Sequence, residues 1–550
     1  MGRFTISTTM IVGVVTILLC STAAAQDEPI WRGDQLIYPE GAKIPRGLTE
    51  VEQAFLKRFP PPLPLRSTPP PTGPIHCVAE YEPMEGLLIA WEGWTTILNQ
   101  IGANVTTTGD ADLYVVVDNS NEQTTAYNSL AGAGTDMDRV HFVIRITDTV
   151  WIRDYGPRYI YEGQCRAIID HTYNRPRPND NAFNSYFSTY KNHAYYEIPL
   201  VHGGGNYHLD ARDNSYTSRL ICEENPGLSE QEIHDLWLAY QNVDTNFFDK
   251  FPQYVDWTGH IDMWTQVCGD YDVIISDWPN DSGSTQDQIC DDAAVWFASV
   301  GYTVYRIPAR LVGGTHYTYT NMVLCNDLVL LPLYTNAQVQ QHNPEALAVC
   351  QAAMPDKTIV QVNCESIIPS AGALHCIVMH VPEPPGGVNP TVYLKNLRGG
   401  EVLEPDEQVE IQWISDDDEA VQDVDILLST DSGANFDITI VEGTADDGSY
   451  TWTVPDIYTT HARLRLVVHD ADDNTGSDES DADFTINGTP AECPGDVDGD
   501  GDTDQSDLGL LLADWGCSGG DCVGDLNGDG TTGQADLGIL LADWNCGVDP

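Results

Sequence analysis

The sequence predicts an α/β domain followed by an all-β sandwich and a small helical calcium-binding module. Three observations support this prediction: strand-like and helix-like segments alternate over the middle of the chain, short strands with polar turns follow, and a repeat lies near the end. Alternation of strands with helices is typical of α/β domains. The length of 550 residues is enough for about three domains.

Residues 1–25 have the order of a cleavable export signal. Arg3 precedes an apolar run, residues 10–20, and the small residues 23–25 follow. The run is too short to span a bilayer, so we expect a secreted or cell-surface protein without a transmembrane segment. Residues 26–74 form a leader that is rich in proline at residues 60–74. For this leader we expect an extended spacer with little core.

The charge of the chain limits its partners. A formal net charge of -58 argues against nucleic acid or anionic lipid and suits a cationic substrate or bound calcium. Of the 14 cysteines, Cys20 would leave with the signal, so an odd number remains and at least one thiol stays unpaired.

Residues 75–382 carry the α/β pattern. The end of the segment 79–91 is apolar enough for a buried strand. Further strand candidates are residues 113–117, 140–146, 273–275, 303–307 and 322–331, and helical patterns cover residues 229–241 and 287–300.

The residue pattern changes after the proline- and glycine-rich segment PEPPGG, residues 382–387. Residues 409–413, 424–428 and 462–468 alternate between apolar and polar side chains, with Asp/Gly-rich turns between them. This pattern predicts an immunoglobulin-like sandwich over residues 388–487. No cluster of catalytic residue types falls in it, so we interpret it as a spacer or packing module.

Residues 493–546 contain two copies of one motif, with Cys493 and Cys522 at equivalent positions 29 residues apart. Each copy begins with a loop of calcium-binding type, in which Gly501 or Gly530 allows a sharp turn at position 6. The oxygen ligands would be Asp496, Asp498, Asp500, Asp502 and Asp507 in the first copy, and Asp525, Asn527, Asp529, Thr531 and Asp536 in the second. An acidic disordered tail is the plain alternative, but the repetition of both loop and helix counts against it.

The repeat pair resembles a type I dockerin, which carries Asp at position 12 as this chain does at Asp507 and Asp536. The resemblance implies calcium binding and attachment to a cohesin-type or cell-surface partner. Pairing of Cys493 with Cys517 and of Cys522 with Cys546 would clamp each repeat, but the sequence leaves the connectivity open.

The stretch WTGHIDMW, residues 257–264, contains a candidate for proton transfer. In a strand, His260 and Asp262 would point to the same face. An imidazole beside an anion suits a site that binds a cation and moves a proton. Alone, such a pair is more often structural.

Further stretches make the functional interpretation the better one. They are AEYEPMEG from Ala79, WIRDYGPRYI from Trp151, GGGNYH from Gly203, TYTNMVL from Thr318 and SAGALHCIVMH from Ser370. Their order and spacing, from Ala79 to about Val381, resemble the guanidine-modifying superfamily and, within it, the bacterial peptidylarginine deiminases, whose relatives include agmatine deiminases. The resemblance implies a five-bladed α/β propeller with the site on its central axis.

The resemblance also implies roles for five residues. Cys376 would be the nucleophile and His260 the general acid/base, while Asp154 and Asp262 would hold the guanidinium and Asn321 would support them. Two carboxylates suit a planar cation because charge-assisted hydrogen bonds are strong, and a thiolate attacks without first losing a proton. Four other cysteines are candidates for the nucleophile, but packing or disulfide roles are the simpler interpretation for them: Cys268, Cys325, Cys350 and Cys364.

By the same resemblance, Trp151 and Trp257 would enclose the aliphatic stem of the substrate. In YNRPRPND, Arg175 and Arg177 would bind the free α-carboxylate of a C-terminal arginine, a role that suits two bidentate guanidiniums. One departure is Ala371, where relatives tend to carry glycine. Catalysis would require no cofactor.

The sequence therefore predicts a secreted peptidylarginine deiminase, with calcium bound only in its tail. Three alternatives are weighed against it. An agmatine deiminase would share the core, but the export signal counts against it. An amidinotransferase would need an acceptor site for which no motif is present. A non-catalytic calcium-dependent scaffold protein is disfavoured by the complete set Asp154, His260, Asp262 and Cys376.

Overall fold

The computed structural model describes residues 27–60, 66–489 and 492–547, so the predicted signal peptide lies outside the described residues. The region predicted as α/β contains five small sheets of three or four strands each. We number them I to V. Sheet I consists of Met84–Ala90, Asp112–Val117, Val140–Ile144 and Met379–Pro382; sheet II of Ile75–Cys77, Arg158–Glu162, Cys165–Tyr173 and Ala194–His202; sheet III of His208–Leu209, Asn214–Ser218 and Asp244–Phe248; sheet IV of Thr265–Gly269, Asp272–Asp277, Thr303–Val312 and Thr315–Thr318; and sheet V of Val323–Cys325, Leu328–Leu333 and Thr358–Asn363.

Each sheet contains at least one parallel pair of strands, joined by a helical crossover. The helices of this region are Thr95–Thr107, Ser120–Ala133, Ile152–Tyr155, Pro178–Asn181, Phe183–Lys191, Leu220–Glu224, Glu230–Gln241, Thr285–Ser299 and Asn343–Ala353. The helix predicted from Ser229 begins at Glu230, because Ser229 and Glu232 form a capping box. The single strand predicted over 322–331 is wrong: Asn326, at φ 50°, turns the chain into a hairpin.

Short connectors lead from each sheet to the next and meet at one buried centre. They include Ile152–Tyr155, Gly204–Asn206, Ile261–Met263, residues 319–322 and His375–Ile377, and several of them contact one another. The last strand, Met379–Pro382, returns to pair with Met84–Ala90, so the end of the region closes onto its beginning. Residues from distant parts of the sequence are thereby brought into one site.

The leader departs from the expected extended spacer. Residues 30–37 form a hairpin of Ile30–Arg32 and Gln35–Ile37, and Glu50–Arg58 is a helix that begins at a capping box of Thr49 and Glu52. Between them, Ala42, Ile44 and Arg46 are buried. The prediction of little core is therefore wrong for this part of the leader, because a few apolar residues and one arginine dock on the α/β region.

The region after Gly387 consists of two sheets around one apolar core that contains Trp413, Trp452 and Leu464. The three-stranded sheet contains Thr391–Leu394, Gln408–Asp416 and Ser449–Thr453, and the other contains Val402–Leu403, Asp423–Ser429, Ile438–Thr444, Tyr458–His469, Thr475–Glu479 and Phe484–Asn487. The three strands predicted here are present, and each extends beyond the predicted alternating segment at both ends. The immunoglobulin-like assignment stays a prediction.

The tail contains the helices Gln505–Ala513 and Gln534–Ala542, each after an acidic loop. The pairing considered for its cysteines is wrong, since Cys493 bonds to Cys546 and Cys517 bonds to Cys522. The two copies are interlocked: Asp543, after the second helix, accepts from Gly495 N before the first loop. The ends of the module therefore meet. Among the described residues, no helix is both long and apolar enough to cross a membrane.

Candidate active site

Two carboxylates at the buried centre hold a guanidinium, and this guanidinium belongs to Arg46 of the leader. Arg46 Nε and Nη2 donate to Asp154 at 2.9 and 2.7 Å, and Nη1 and Nη2 donate to Asp262 at 3.2 and 3.1 Å. All three side chains are fully buried. The predicted carboxylate pair thus binds the cation for which it was assigned, but the cation comes from a segment that sequence reasoning interpreted as a spacer.

The predicted nucleophile and acid/base lie on the same guanidinium. Cys376 Sγ is 2.7 Å from Arg46 Nη1, and His260 Nδ1 is 2.7 Å from Nη2. His260 Nδ1 also lies 3.5 Å from Asp154 Oδ1. The strand considered for His260 and Asp262 is not formed, because Ile261–Met263 is a turn of 3-10 helix that begins after His260. That turn still delivers both side chains to the centre.

Asn321 positions the segment that carries the nucleophile. Its Oδ1 accepts from Ala373 N at 3.0 Å and lies 3.2 Å from Cys376 Sγ. Ala371, two residues earlier, has a left-handed φ of 66°. Glycine is the usual residue in this conformation, which gives a physical reason for the glycine that the resemblance leads us to expect there.

A second layer behind the carboxylates was not predicted. His375 Nδ1 lies 3.0 Å from Asp262 Oδ2, and His375 Nε2 lies 3.0 Å from Glu80. Arg153 donates to Glu80 Oε1 at 2.6 Å. Glu80 belongs to AEYEPMEG and His375 to the run before Cys376. Both residues lie in stretches that carry the family resemblance, which was the signal available for predicting them. A histidine next to a candidate nucleophile is, however, more simply interpreted as a packing residue.

The electrostatics of the site depend on the bound guanidinium. Burial, the largest single influence, raises the pKa of Asp154 and Asp262, but Arg46 and His260, joined by His375 at Asp262, together hold the pKa of both below the ordinary range. Burial raises the pKa of Cys376 well above its ordinary value; Arg46 opposes this, and the two carboxylates add to it. The net shift of the thiol pKa is upward, and Arg46 is the larger of the influences that favour the thiolate.

The glycine run at residues 203–205 forms one wall. A Cβ on Gly205 would lie 1.9 Å from Arg46 Nη2, and a Cβ on Gly203 would lie 2.7 Å from His260 Cε1. Gly205 N donates to Asp154 Oδ1 at 3.3 Å. The glycines therefore make room for the guanidinium and the imidazole.

The four predicted substrate-binding residues contact the backbone of the leader. Trp151 is buried, and its Nε1 donates to Ile44 O at 2.8 Å. Trp257 is 56% exposed and lies beside Gly47, so it covers the residue after the arginine. Arg175 Nε donates to Arg46 O at 3.2 Å.

Arg177 is not free to bind a carboxylate from another molecule in this structure. Its Nε donates to Glu52 at 2.9 Å and its Nη2 to Pro45 O at 2.8 Å. Both members of the ion pair are fully buried. The leader thus supplies the carboxylate that Arg177 was predicted to take from a substrate.

The other cysteines of the α/β region are free thiols and are at least partly buried. Cys268, Cys325, Cys350 and Cys364 belong to the large apolar core, so packing is the role that the structure supports for them, and none forms a disulfide.

Both tail loops make the sharp turn at position 6 that a calcium-binding loop requires. Gly501 and Gly530 have φ of 101° and 87°, the turn required at position 6. At positions 1 and 12 of the first loop, Asp496 accepts from Gly501 N and Asp507 accepts from Asp498 N. The second loop repeats this with Asp525 and Asp536. The ligand types are all oxygens, so the residues present fit calcium.

The α/β region is similar in sequence and fold to known proteins. A sequence model of the Porphyromonas-type peptidyl-arginine deiminases matches residues 76–382. The agmatine deiminase of Ectopseudomonas mendocina (strain ymp) is 23% identical over 305 residues, 46% of this chain and 80% of that protein. The solved agmatine deiminase of C. jejuni is similar with a TM-score of 0.50 and 16% identity, over 56% of this chain and 97% of the other. At that identity the likeness shows the fold alone.

Proposed function

Since the chain belongs to the Porphyromonas-type peptidyl-arginine deiminase family, we propose that it hydrolyses the guanidinium of arginine in peptides to citrulline and ammonia. One observation carries the proposal: the guanidinium of Arg46 is held by Asp154 and Asp262 while Cys376 Sγ and His260 Nδ1 each lie 2.7 Å from one of its terminal nitrogens. Such pre-alignment of reacting groups lowers the barrier.

The chemistry begins when the Cys376 thiol gives its proton to His260, and the bound guanidinium favours the resulting thiolate. The sulfur attacks the central carbon and a C–S bond forms. Nη2 touches His260 Nδ1, so His260 protonates this nitrogen and ammonia leaves, with a covalent thiouronium on Cys376. His260 then deprotonates a water that adds to the same carbon, and the C–S bond breaks to release citrulline.

A peptide substrate is favoured over a free amine by the contacts beyond the guanidinium. Arg175 and Arg177 donate to successive backbone carbonyls of the chain that fills the site. In a C-terminal arginine, a carboxylate oxygen would take the place of the Arg46 carbonyl, and Arg177 would become available once Glu52 moves away. Agmatine has neither a backbone carbonyl nor a carboxylate for these arginines to bind. It remains the second candidate, because the similar protein from E. mendocina is named an agmatine deiminase.

The remaining assignments follow from the sequence. We propose that the chain is exported, that its tail binds calcium without a part in catalysis, and that the tail attaches the enzyme to a cohesin-type or cell-surface partner. The acidic loops and the interlocked repeats support the calcium-binding part.

The test is citrulline release from a peptide ending in arginine, the same peptide amidated, and agmatine. It uses the Arg46→Ala protein, whose site holds no leader guanidinium. We expect the free-ended peptide to react fastest. A preference for agmatine would instead support the second candidate, and turnover of none of the three would refute the deiminase assignment.

A further inference from the structure

The leader binds the site in the manner of a peptide substrate. The carbonyl oxygens of residues 44, 45 and 46 each accept a hydrogen bond, from Trp151, Arg177 and Arg175 respectively. Arg46 N donates to Ser370 O at 3.0 Å. Every one of these contacts holds backbone, so the cradle recognises an extended chain around one arginine.

The side chain of that arginine is placed for reaction as well as for binding. Arg46 Nη2 lies between Asp154, Asp262 and His260, and Nη1 faces Cys376. Both reacting side chains therefore touch the guanidinium, Cys376 at Nη1 and His260 at Nη2, the nitrogen that would leave as ammonia.

The fit is specific to a guanidinium rather than a generic buried ion pair. The absence of a side chain at Gly205 leaves the space that Nη2 occupies. A buried cation is costly unless it is paired and hydrogen-bonded, and here each guanidinium nitrogen has at least one acceptor. The chain also has only 25 basic residues against 83 acidic ones, so the burial of Arg46 at this point is not a consequence of an abundance of cations.

We propose that Arg46 is an intramolecular substrate of this site and that its conversion to citrulline releases the leader. The inference rests on the proposed function. Water supplies the oxygen: the guanidinium of Arg46 plus water gives the ureido group of citrulline plus an ammonium ion, through the same C–S bond to Cys376. No oxidant or further reactant is needed.

Release follows from the change in charge. Citrulline is neutral and has lost one of the nitrogens that donate to the carboxylates. Asp154 and Asp262 would then be left buried beside a neutral group, which is unfavourable for both. Opening the cleft to water relieves this cost, so the converted leader should leave while the unconverted leader stays.

The experiment is mass analysis of the full chain after unfolding and digestion with trypsin, which cleaves after arginine but not after citrulline. In the protein without substitutions we expect complete loss of tryptic cleavage between Arg46 and Gly47. The peptide that contains residue 46 should show the mass change of an imine group replaced by oxygen. In Cys376→Ala we expect cleavage there to be retained. Arg58, exposed on the leader helix, should remain arginine in both proteins and serves as the internal control.

The same proteins are tested on added arginyl peptide, together with Arg46→Ala. Citrulline at residue 46 that depends on Cys376 supports the proposal. Intact Arg46 in a protein that converts added peptide overturns it, and so does intact Arg46 where only Arg46→Ala is active, because the leader would then be a stable block. If neither Arg46 nor any added guanidine is converted by any of the proteins, the proposed function fails as well.

Discussion

Arg166 of sheet II and Asp416 of the sandwich form an ion pair that is buried on both sides. Arg166 Nε lies 2.9 Å from Asp416 Oδ2, and the backbone N of Arg166 donates to the same oxygen at 2.9 Å. Glu85 of sheet I also pairs with Arg166. The sandwich is thus joined to the α/β region by a buried ion pair as well as by the linker at residues 382–387.

Asp416→Ala should destabilise the protein by about 3 kcal/mol, because removal of one partner leaves a buried charge without its main counter-ion. Thermal unfolding of the full chain is the measurement. Asp481→Ala, which removes an exposed partner of Arg398, should change stability by less than about 1 kcal/mol. Equal effects of the two substitutions would show that the buried pair adds little.

Cys376→Ala should abolish ammonia release while leaving thermal stability and calcium binding unchanged, because the sulfur forms the covalent intermediate. The measurement is best made in the Arg46→Ala protein with added peptide. Cys222→Ala changes a half-buried thiol outside the site and should keep full activity. Substantial activity of Cys376→Ala would refute the mechanism.

Arg175→Ala should lower kcat/KM for a peptide ending in arginine by about ten- to a hundredfold, since loss of a hydrogen bond to a charged group costs about 1.5 to 3 kcal/mol. Turnover of agmatine, which has no carboxylate, should change little. Arg219→Ala alters an exposed arginine that pairs on the surface with Glu230 and should affect neither substrate. A parallel loss on agmatine would mean that Arg175 shapes the site rather than binds the carboxylate.

The tail should bind about two calcium ions, one in each loop. Titration calorimetry should show the loss of one site in Asp507→Ala and of the other in Asp536→Ala, whereas Asp521→Ala, between the loops, should keep both. Deimination should survive EDTA, because none of the residues assigned to catalysis is needed as a metal ligand. Loss of turnover on EDTA treatment would assign calcium a catalytic role.

Glu92 should make stability fall as pH rises. Burial, with Asp118 and Glu122 nearby, raises its pKa from 4.5 to about 9. Below pH 4.5 both folded and unfolded chains carry the proton; above it only the unfolded chain ionises freely, and the penalty grows until pH reaches about 9.

Glu92→Gln should therefore unfold at a higher temperature than the parent protein at about pH 8 and at nearly the same temperature at about pH 4. Glutamine can still accept from Gly41 N, as Glu92 does at 3.0 Å. Glu442→Gln, at an exposed position of the sandwich, should leave the pH dependence as it is. A constant difference at both pH values would point to packing instead of ionisation.

The residues that meet at the buried centre could be predicted from the sequence because each lies in a connector with its own local signature, while their catalytic roles stay a prediction. Asp154 follows a strand in WIRD, His260 and Asp262 share one turn, and Cys376 directly precedes the closing strand. Such signatures depend on near neighbours, so they are visible before the fold is known.

Arg46 could not be predicted in the same way. Its partners Asp154 and Cys376 are 108 and 330 residues away, and nothing in the residues around it marks an active-site segment. The proline-rich composition that follows suggested a spacer instead. The contact between Asp262 and His375, 113 residues apart, was missed for the same reason: it exists only because the connectors meet.

Arg46 belongs to the same polypeptide chain as the site that it fills, and this affects competition with other substrates. A tethered ligand presents an effective concentration of millimolar order when the linker is short and flexible. Until Arg46 is converted, a free peptide at micromolar concentration therefore competes with an arginine whose effective concentration at the site is far higher. Dilution does not weaken this competition, because the tethered group is diluted together with the site it fills.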